Sequence, residues 1–305
     1  MIHVLRKSET GVALILTLLI TAILVTLIVE VNYSTQVDVR ISGNFRNDLQ
    51  TSYLAKSGVN IAASYLKYDG QNTDTDNLTE DWAKSFPPLP VGEGFVKVMI
   101  GDENSKININ RAVKETGEVD QVIYDALSRL FEREEVDLGI LDALIDWIDP
   151  NDEGEAEGNY YRGLDPPYAC KNGPLDTLSE LLMIKGITDE VYAKISQYLT
   201  IYSDGKVNIN TASKEVLLCL DDAIDDGIAQ EIIQYREEAP FDTKGELKDM
   251  LNDDDLYGRI ESIIDVKSNA FTVVSIGQVE RVEKVVRAVI DREGAQISYR
   301  YWRVE

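Results

Sequence analysis

The chain has 305 residues and a formal net charge of −24 at pH 7, with 54 acidic and 30 basic side chains. This excess of carboxylates argues against a nucleic-acid surface, because phosphate binding needs lysine and arginine to displace counterions. One histidine, two cysteines and no Cys-x-x-Cys pair argue against zinc chemistry and histidine-based catalysis.

Residues 11–29 form an uncharged apolar run, which follows a short head containing Arg6 and Lys7. As a helix this run would be about 28 Å long, which matches the hydrocarbon core of a bilayer. A cleaved secretory signal would have a shorter run and then a small-residue cleavage site, whereas this run continues directly into Glu30. A plain signal anchor stays open as an alternative. Basic residues before an anchor stay cytoplasmic, so we expect residues 30–305 on the far side of the inner membrane.

The helical pattern continues beyond the apolar run and predicts one helix over residues 12–68. The span from residue 12 to residue 86 contains no proline. Four large apolar residues recur at every fourth position, as on one face of a helix: Ile41, Phe45, Leu49 and Tyr53. We expect residues 12–30 to cross the membrane and residues 31–68 to pack on a globular head.

The rest of the chain changes from loop and strands to helices and back to strands. Residues 69–94 are polar and proline-rich, which predicts a loop, and residues 95–100 and 106–109 read as short strands. Helical apolar spacing covers residues 122–131, 138–148, 178–184 and 191–199. We therefore assign 69–109 to the loop and first strands, 110–268 to an inserted helical domain with halves at 110–204 and 205–268, and 269–305 to closing strands. The valine-rich run at 282–290 also fits helical spacing, but valine favours a strand.

A short sequence echo, meaning one motif that occurs twice, stands at the start of each half of the helical domain. Lys-Ile-Asn-Ile-Asn at residues 106–110 returns as Lys-Val-Asn-Ile-Asn at residues 206–210. In each copy the last asparagine, Asn110 or Asn210, is placed to cap the helical segment that follows.

An acidic loop follows the predicted helix at 138–148. Asp149, Asn151, Asp152 and Glu157 supply oxygen donors within a few residues, which suits a hard cation such as Ca²⁺. The spacing is not that of an EF-hand, and a solvated acidic loop is the alternative. Paired carboxylates also raise the possibility of a hydrolase, but no nucleophile elbow, phosphate loop or basic clamp accompanies them, so we expect no enzymatic activity.

The segment from residue 207 onward resembles the helix-hairpin-helix modules of DNA-uptake and repair proteins. This resemblance gives a second candidate function, a membrane-anchored DNA-binding or DNA-uptake protein. Such modules hold phosphate with glycine-rich hairpins and nearby lysine. The corresponding hairpin here, residues 221–227, carries four aspartates, which would repel phosphate. We therefore expect no nucleic-acid partner.

Two cysteines and three tyrosines leave alternatives open. In the oxidising space outside the inner membrane Cys170 and Cys219 could form a disulfide, and two buried free thiols are the alternative. Tyr160, Tyr161 and Tyr168 could face a partner or pin a loop onto the domain.

The junction of the basic head and the apolar run resembles the leader of type IV prepilins and type II secretion pseudopilins. Gly11 ends the head and Val12 opens the run. The resemblance implies a leader of residues 1–11, cleavage between Gly11 and Val12 by a prepilin peptidase, and N-methylation of Val12. Most members carry glutamate as the fifth mature residue, which here is Leu16. The K-type minor pseudopilins lack that glutamate.

The acidic loop, the Pro166-Pro167-Tyr168 segment and the closing strands extend this resemblance over nearly the whole chain. The chain resembles the K-type minor pseudopilins, the general secretion pathway protein K family. The implied α+β fold has a pilin-like long N-terminal helix packed on a small antiparallel sheet. A large all-α domain, similar to SAM and helix-hairpin-helix domains, is inserted between strands.

The resemblance also implies a function. A protein of this kind caps the tip of the type II secretion pseudopilus, or initiates its assembly, for protein export across the outer membrane. Its implied partners are the I- and J-type minor pseudopilins, the prepilin peptidase and the inner-membrane assembly platform, with the H-type pseudopilin as a further candidate. It would be a single-pass inner-membrane protein with a cytoplasmic N-terminus and a periplasmic bulk. In the family the acidic loop binds calcium, which here implies the ligands Asp149, Asn151, Asp152 and Glu157.

Overall fold

The computed structural model describes residues 9–84 and 87–305, so most of the predicted leader lies outside the described residues. The helices are α1 (Glu9–Asn72), α2 (Gln121–Arg133), α3 (Leu138–Ile148), α4 (Gly158–Arg162), α5 (Asp189–Ile195), α6 (Lys214–Leu220), α7 (Asp226–Glu238), α8 (Lys244–Leu251) and α9 (Asp254–Ile260). The strands are β1 (Leu89–Val91), β2 (Gly94–Asp102), β3 (Ile107–Asn108), β4 (Leu199–Thr200), β5 (Val207–Asn208), β6 (Ile264–Asp265), β7 (Ala270–Val279), β8 (Val282–Glu293) and β9 (Gln296–Val304). Short 3₁₀ turns lie at Asp81–Ala83, Ile109–Arg111, Leu178–Met183 and Ser196–Tyr198.

The N-terminal helix α1 is continuous over 64 residues, which corresponds to a length of about 96 Å. Its first half projects from the rest of the protein, and apolar side chains such as Leu16 and Ile28 are more than half exposed. Among the described residues α1 is the helix that is long and apolar enough to cross a membrane. The predicted long helix is confirmed, and its length and composition fit a membrane anchor.

The second half of α1 packs on a five-stranded antiparallel sheet with the strand order β1-β2-β7-β8-β9. The core between helix and sheet consists of small and branched side chains from α1 and apolar side chains from β7 and β8: Ala55, Val59, Ala62, Leu66, Phe271, Val273, Val286, Ala288 and Ile290. Two glycines permit this close approach. A Cβ at Gly58 would overlap Ser275 of the sheet, and a Cβ at Gly277 would meet the α1 backbone at Thr51 and Ala55.

The helical domain is inserted between the adjacent strands β2 and β7, as the fold prediction requires. Each half of it begins with a two-residue strand that pairs in parallel with a strand from the end of that half. Thus Ile107 of β3 lies opposite Leu199 of β4, and Val207 of β5 lies opposite Ile264 of β6. Strand β3 therefore belongs to the helical domain, whereas the sequence prediction assigns residues 106–109 to the strands that precede it. One apolar core runs through both halves, because buried residues from all of these segments belong to the same contiguous cluster.

Three further local predictions need correction. The helix α1 continues to Asn72, and the segment predicted as a loop contains strand β1. Strand β1 lies at the edge of the sheet, where Pro90 is tolerated because one side of the strand needs no hydrogen-bond partner. Residues 178–183 form a 3₁₀ helix rather than an α-helix. The valine-rich run forms strand β8, as predicted.

The asparagines of the sequence echo are arranged differently from the prediction. The first asparagine of the copy, Asn108, is the cap, because its side chain accepts a hydrogen bond from the backbone N–H of Asn110. Asn110 instead exchanges two hydrogen bonds with the backbone of the distant Leu175, at 3.0 and 2.8 Å.

The second copy repeats this geometry. Asn208 accepts from the backbone N–H of Asn210, and Asn210 exchanges two hydrogen bonds with the backbone of Phe241 at 3.0 and 2.9 Å. The final asparagine of each copy therefore holds two distant segments together and does not cap a helix.

A buried polar cluster joins α1, the sheet and the helical domain. The Arg292 guanidinium of β8 donates to Asp69 at the end of α1 and to both carboxylate oxygens of Asp76 in the following loop. Asp102, at the end of β2, accepts from the hydroxyl groups of Thr211 and Ser268. Because these partners come from separate parts of the chain, the cluster fixes the helical domain on the sheet.

This cluster contains more carboxylates than basic groups. Asp69, Asp76 and Glu80 each place one carboxylate oxygen within 4.8 Å of the others. Arg292 pairs with Asp69 and Asp76, whereas Glu80 accepts from the side-chain N–H groups of Asn77 and Trp82. Burial raises the pKa of Glu80 to about 7 and that of Asp102 to about 7. The three carboxylates therefore already have donors within the protein, and we do not consider the group a metal site.

Candidate functional site

The acidic loop folds into a compact carboxylate cluster beside α3. Asp146 lies in the last turn of α3, Asp149 is the residue that ends this helix, and Glu157 immediately precedes α4. One carboxylate oxygen from each of these three residues lies within 4.8 Å of the other two. Asp149 is 6% exposed and Glu157 is 5% exposed, so two of the three carboxylates are buried.

The three carboxylates differ in how their oxygens are satisfied. Asp146 Oδ2 accepts from the backbone N–H of Ala156 at 2.9 Å, and Asp149 Oδ1 accepts from the backbone N–H of Asn151 at 3.1 Å. Neither oxygen of Glu157 accepts a hydrogen bond from a nitrogen or oxygen donor, and its one neighbouring donor is the weak thiol of Cys170. Burial, together with the charges of Asp146 and Asp149, raises the pKa of the Glu157 carboxyl. Burying a carboxylate without strong donors costs free energy, so a positive charge at this position would stabilise the cluster.

The donor set fits a hard divalent cation. Ca²⁺ prefers oxygen ligands from carboxylates, backbone carbonyls and water in a flexible geometry. Here three carboxylates converge from the end of a helix, the position after it and the far end of a loop. The cluster contains neither a histidine nor a thiolate that would favour a softer metal.

The structure brings together only part of the predicted ligand set. Asp149 and Glu157 lie in the cluster, and the exposed Asp152 does not. Asn151 is exposed at the rim of the cluster, where it hydrogen-bonds to Asp149. The Asn151 side chain accepts from the backbone N–H of Glu153 at 2.6 Å, and Asp152 Oδ1 accepts from Asn172 Nδ2 at 3.1 Å.

The third member of the cluster, Asp146, was missed as a ligand. It precedes Asp149 by three residues, and residues three apart share one face of a helix. This spacing was the available signal.

The three tyrosines near this loop mainly pin it to the domain. Tyr161 is fully buried and stacks edge-on against Trp147, with ring centroids 4.9 Å apart. The Tyr168 hydroxyl donates to the backbone carbonyl of Met183 at 2.7 Å. Tyr160 is 37% exposed, so it is the member of the three that reaches the surface.

Of the two alternatives for Cys170 and Cys219, the structure has the free thiols. Cys170 is half-buried beside the acidic cluster, and its Sγ lies 3.6 Å from the backbone carbonyl of Asp146. Cys219 is fully buried in α6, and its surroundings include Arg129 and Arg133 of α2. The two thiols therefore face different neighbours. Burial raises the pKa of Cys170 to about 11, so this thiol stays protonated at neutral pH.

The predicted processing positions lie at the beginning of α1. Gly11 and Val12 are both exposed, and Val12 is 62% exposed. Leu16 is also on the surface of this part of the helix, at 51% exposure. Among the described residues, no other helix or strand packs on this end of α1.

The hairpin between α6 and α7 carries carboxylates that are already engaged with arginines of the same domain. Asp221 forms a two-point ion pair with Arg259 at 2.7 and 2.9 Å, and Asp222 pairs with Arg129. A helix-hairpin-helix module needs free backbone N–H groups and nearby lysine to hold phosphate. The helical arrangement is present, but the charge of its hairpin is unsuitable for DNA.

The fold and the site together define a class of protein. A long N-terminal helix with an exposed apolar half, packed on an antiparallel sheet, is the architecture of a membrane-anchored pilin-like protein. In this chain the sheet also carries a large helical insertion, which contains the buried acidic cluster.

The comparisons with known proteins identify the family. Two family models, both described as type II secretion system (T2SS), protein K, match residues 105–204 and 207–267. The type II secretion system protein K of Pseudomonas aeruginosa is 31% identical over 255 residues, which are 79% of this chain and 76% of that protein. The protein K of Aeromonas hydrophila is 26% identical over 299 residues, covering 90% of each chain. This chain belongs to the type II secretion system protein K family.

The fold of a solved structure agrees with this assignment. A chain in the crystal structure of the GspK-GspI-GspJ complex from the enterotoxigenic Escherichia coli type 2 secretion system superimposes with a TM-score of 0.73. The match covers 88% of this chain and 99% of that chain at 19% sequence identity. The family is a structural pseudopilin family of type II secretion.

Proposed function

We propose that this protein is the minor pseudopilin that caps the tip of the type II secretion pseudopilus or initiates its assembly. The observation that carries the proposal is the combination of α1 with the inserted domain. The exposed apolar half of α1 suits a membrane and then the core of a filament, whereas the large helical insertion suits a subunit that ends the filament. The role is structural, and no catalytic step is part of it.

The beginning of α1 is the proposed processing site. A prepilin peptidase on the cytoplasmic side of the inner membrane cuts between Gly11 and Val12, and Val12 becomes N-methylated. The new N-terminus remains in the membrane, and the rest of the chain stands in the periplasm. Both residues of the bond are exposed at the start of the helix, which leaves the bond accessible before assembly.

Leu16 fits the proposed place at the tip. In the pseudopilin family a glutamate at this position is thought to pair with the N-terminal amine of a neighbouring subunit that was assembled earlier. A first subunit has no such neighbour, and an unpaired carboxylate inside a membrane is costly. Leucine avoids that cost. A Leu16→Glu variant should lose its tip position or reduce secretion, and unchanged behaviour would contradict this account.

The proposed partners are the I- and J-type minor pseudopilins. Support comes from the likeness to the GspK chain of the GspK-GspI-GspJ complex and from the family assignment. The H-type pseudopilin and the inner-membrane assembly platform are further candidates. A direct test is co-purification of the full chain, extracted in detergent, with the I- and J-type subunits of its own secretion system. Failure of all of these subunits to co-purify would contradict the proposal.

We also propose that the acidic cluster binds calcium. Asp146, Asp149 and Glu157 would hold the ion, which would supply the positive charge that the buried Glu157 carboxylate lacks. The ion would tie the end of α3 to the start of α4 and so order the loop between them. Isothermal titration of the calcium-free protein tests this, and the absence of any binding heat or stabilisation by Ca²⁺ would contradict it.

A further inference from the structure

The two edges of the sheet are protected to very different degrees. Strand β1, at one edge, has three residues and contains Pro90, which cannot donate a hydrogen bond. Strand β9, at the other edge, has nine residues and neither proline nor glycine. Among the described residues no strand pairs with the outer side of β9. A long, unprotected edge strand is a template on which another chain can add a strand.

The register of β9 shows which backbone groups are free. Val285 and Glu305 exchange both of their backbone hydrogen bonds, at 3.2 and 2.8 Å. In an antiparallel pair such hydrogen-bonded positions alternate with positions whose N–H and C=O groups point away. Val304 lies opposite Val286 and Trp302 lies opposite Ala288, at the alternate positions. The backbone groups of Val304 and Trp302 therefore face the open edge.

The same two residues carry exposed apolar side chains. Trp302 is 40% exposed and Val304 is 44% exposed. Tyr299 stacks edge-on against Trp302, with ring centroids 5.5 Å apart, and its hydroxyl lies 3.4 Å from Asn60 Oδ1 of α1. Asn60 begins a shallow groove on α1 that continues along Ile61, Ser64, Tyr65 and Tyr68. The edge thus combines free backbone groups with an aromatic surface that continues onto α1.

The local charge indicates what kind of segment fits. The whole chain has 54 acidic and 30 basic residues. At this edge Arg300 is paired with Asp291 of β8, whereas Arg303 and Arg287 share the single carboxylate of Glu305, which leaves one positive charge in excess. A second copy of this chain is a poor occupant, because two copies would bring like-charged edges together and each carries a charge of −24. A segment with carboxylates and apolar side chains complements the edge.

We propose that β9 accepts an extended, acidic segment of another pilin-type subunit, which adds a sixth strand to the sheet. This inference rests on the proposed function, because it requires neighbouring subunits. The position of β9 favours a pilin-type neighbour: β9 lies beside the exposed face of α1, and this face continues into the apolar run. A subunit anchored in the same membrane alongside α1 would meet this edge from the side.

The test is site-specific photo-cross-linking with a matched control on the other edge. The full chain, with Cys170→Ser and Cys219→Ala, carries either Val304→Cys on β9 or Val91→Cys on β1, each labelled with a benzophenone maleimide. These two valines are 44% and 47% exposed. In membranes containing the I- and J-type subunits, we expect V304C to cross-link to one of them and V91C to cross-link at least about tenfold less.

A second pair of variants separates the backbone contact from the side chain. Val304→Pro removes the outward N–H, whereas Val304→Thr keeps it, and neither change disturbs the ladder to β8. We expect the affinity for the partner to fall about tenfold with V304P and less than about threefold with V304T. Equal affinities of the two variants would overturn the strand-addition geometry.

The remaining outcomes are also decisive. Cross-linking of V304C to a second copy of this chain, equal cross-linking from V91C, or no cross-linking while the partners co-purify would overturn the proposal and leave the proposed function intact. If the I- and J-type subunits do not co-purify even with the unaltered chain, the proposed function fails and this inference fails with it.

Discussion

Calcium should decide whether the Glu157 carboxylate stabilises or destabilises the folded protein. In the calcium-free protein Glu157 is a buried carboxylate without a nitrogen or oxygen donor, and one of its oxygens lies within 4.8 Å of carboxylate oxygens of Asp146 and Asp149. The substitution Glu157→Gln keeps the shape and removes one of three like charges. We therefore expect the calcium-free variant to be at least as stable as the native protein.

The calcium-dependent effect can be estimated from binding linkage. A ligand that binds only the folded state at 100 times its Kd stabilises that state by about 2.7 kcal/mol. For a protein of this size each kcal/mol raises Tm by roughly 2–4 °C, so saturating calcium should raise the Tm of the native protein by about 5–10 °C. The Glu157→Gln variant should lose most of this shift, because the ion loses a charged ligand from a set of three.

The assay is thermal unfolding of the full chain in detergent, followed by circular dichroism with and without calcium. Asp152→Asn is the matched control, because Asp152 belongs to the same loop but lies outside the cluster, bonded to Asn172. This control should keep the full calcium shift. A shift that survives Glu157→Gln, or one that Asp152→Asn abolishes, would refute the ligand assignment made from the structure.

Three further predictions concern stability. Gly58→Leu should cost at least about 2 kcal/mol, because the side chain would enter the helix–sheet contact, whereas Gly43→Leu on the open part of α1 should cost little. Asn210→Ala should cost about 2–4 kcal/mol in chemical denaturation, since it leaves a buried backbone N–H and C=O without partners. Burial raises the pKa of Glu80 and Asp102 to about 7, so both carboxyls hold a proton more tightly when the chain is folded. Their contribution is therefore lost as pH rises through about 7: Tm should be lower at pH 8 than at pH 6, and Glu80→Gln should flatten this difference.

Regular periodicity made most of the fold predictable. The absence of proline and the four-residue spacing of apolar residues gave α1, and alternating valine-rich runs gave β7 and β8. Strand β1 was not predictable, because a three-residue strand containing Pro90 has no period to detect. Its existence depends on pairing with β2, which is a tertiary contact.

The candidate site was predictable in position but only partly in membership. Clustered acids marked the loop, and Asp149 and Glu157 lie in the cluster. Local spacing could not show that Asn151 and Asp152 turn outward, because that depends on the backbone of Glu153 and on Asn172, which lies twenty residues further along the chain than Asp152. Nor could it show that Asn110 and Asn210 bond to distant backbone segments.

The measurement that tests the central claim most directly is the intact mass and N-terminal sequence of the full chain after co-expression with a prepilin peptidase. The account predicts a mature chain that begins at Val12, carries an N-methyl group and keeps its apolar run in the membrane. A chain that still begins at Met1 in the presence of an active peptidase would contradict it.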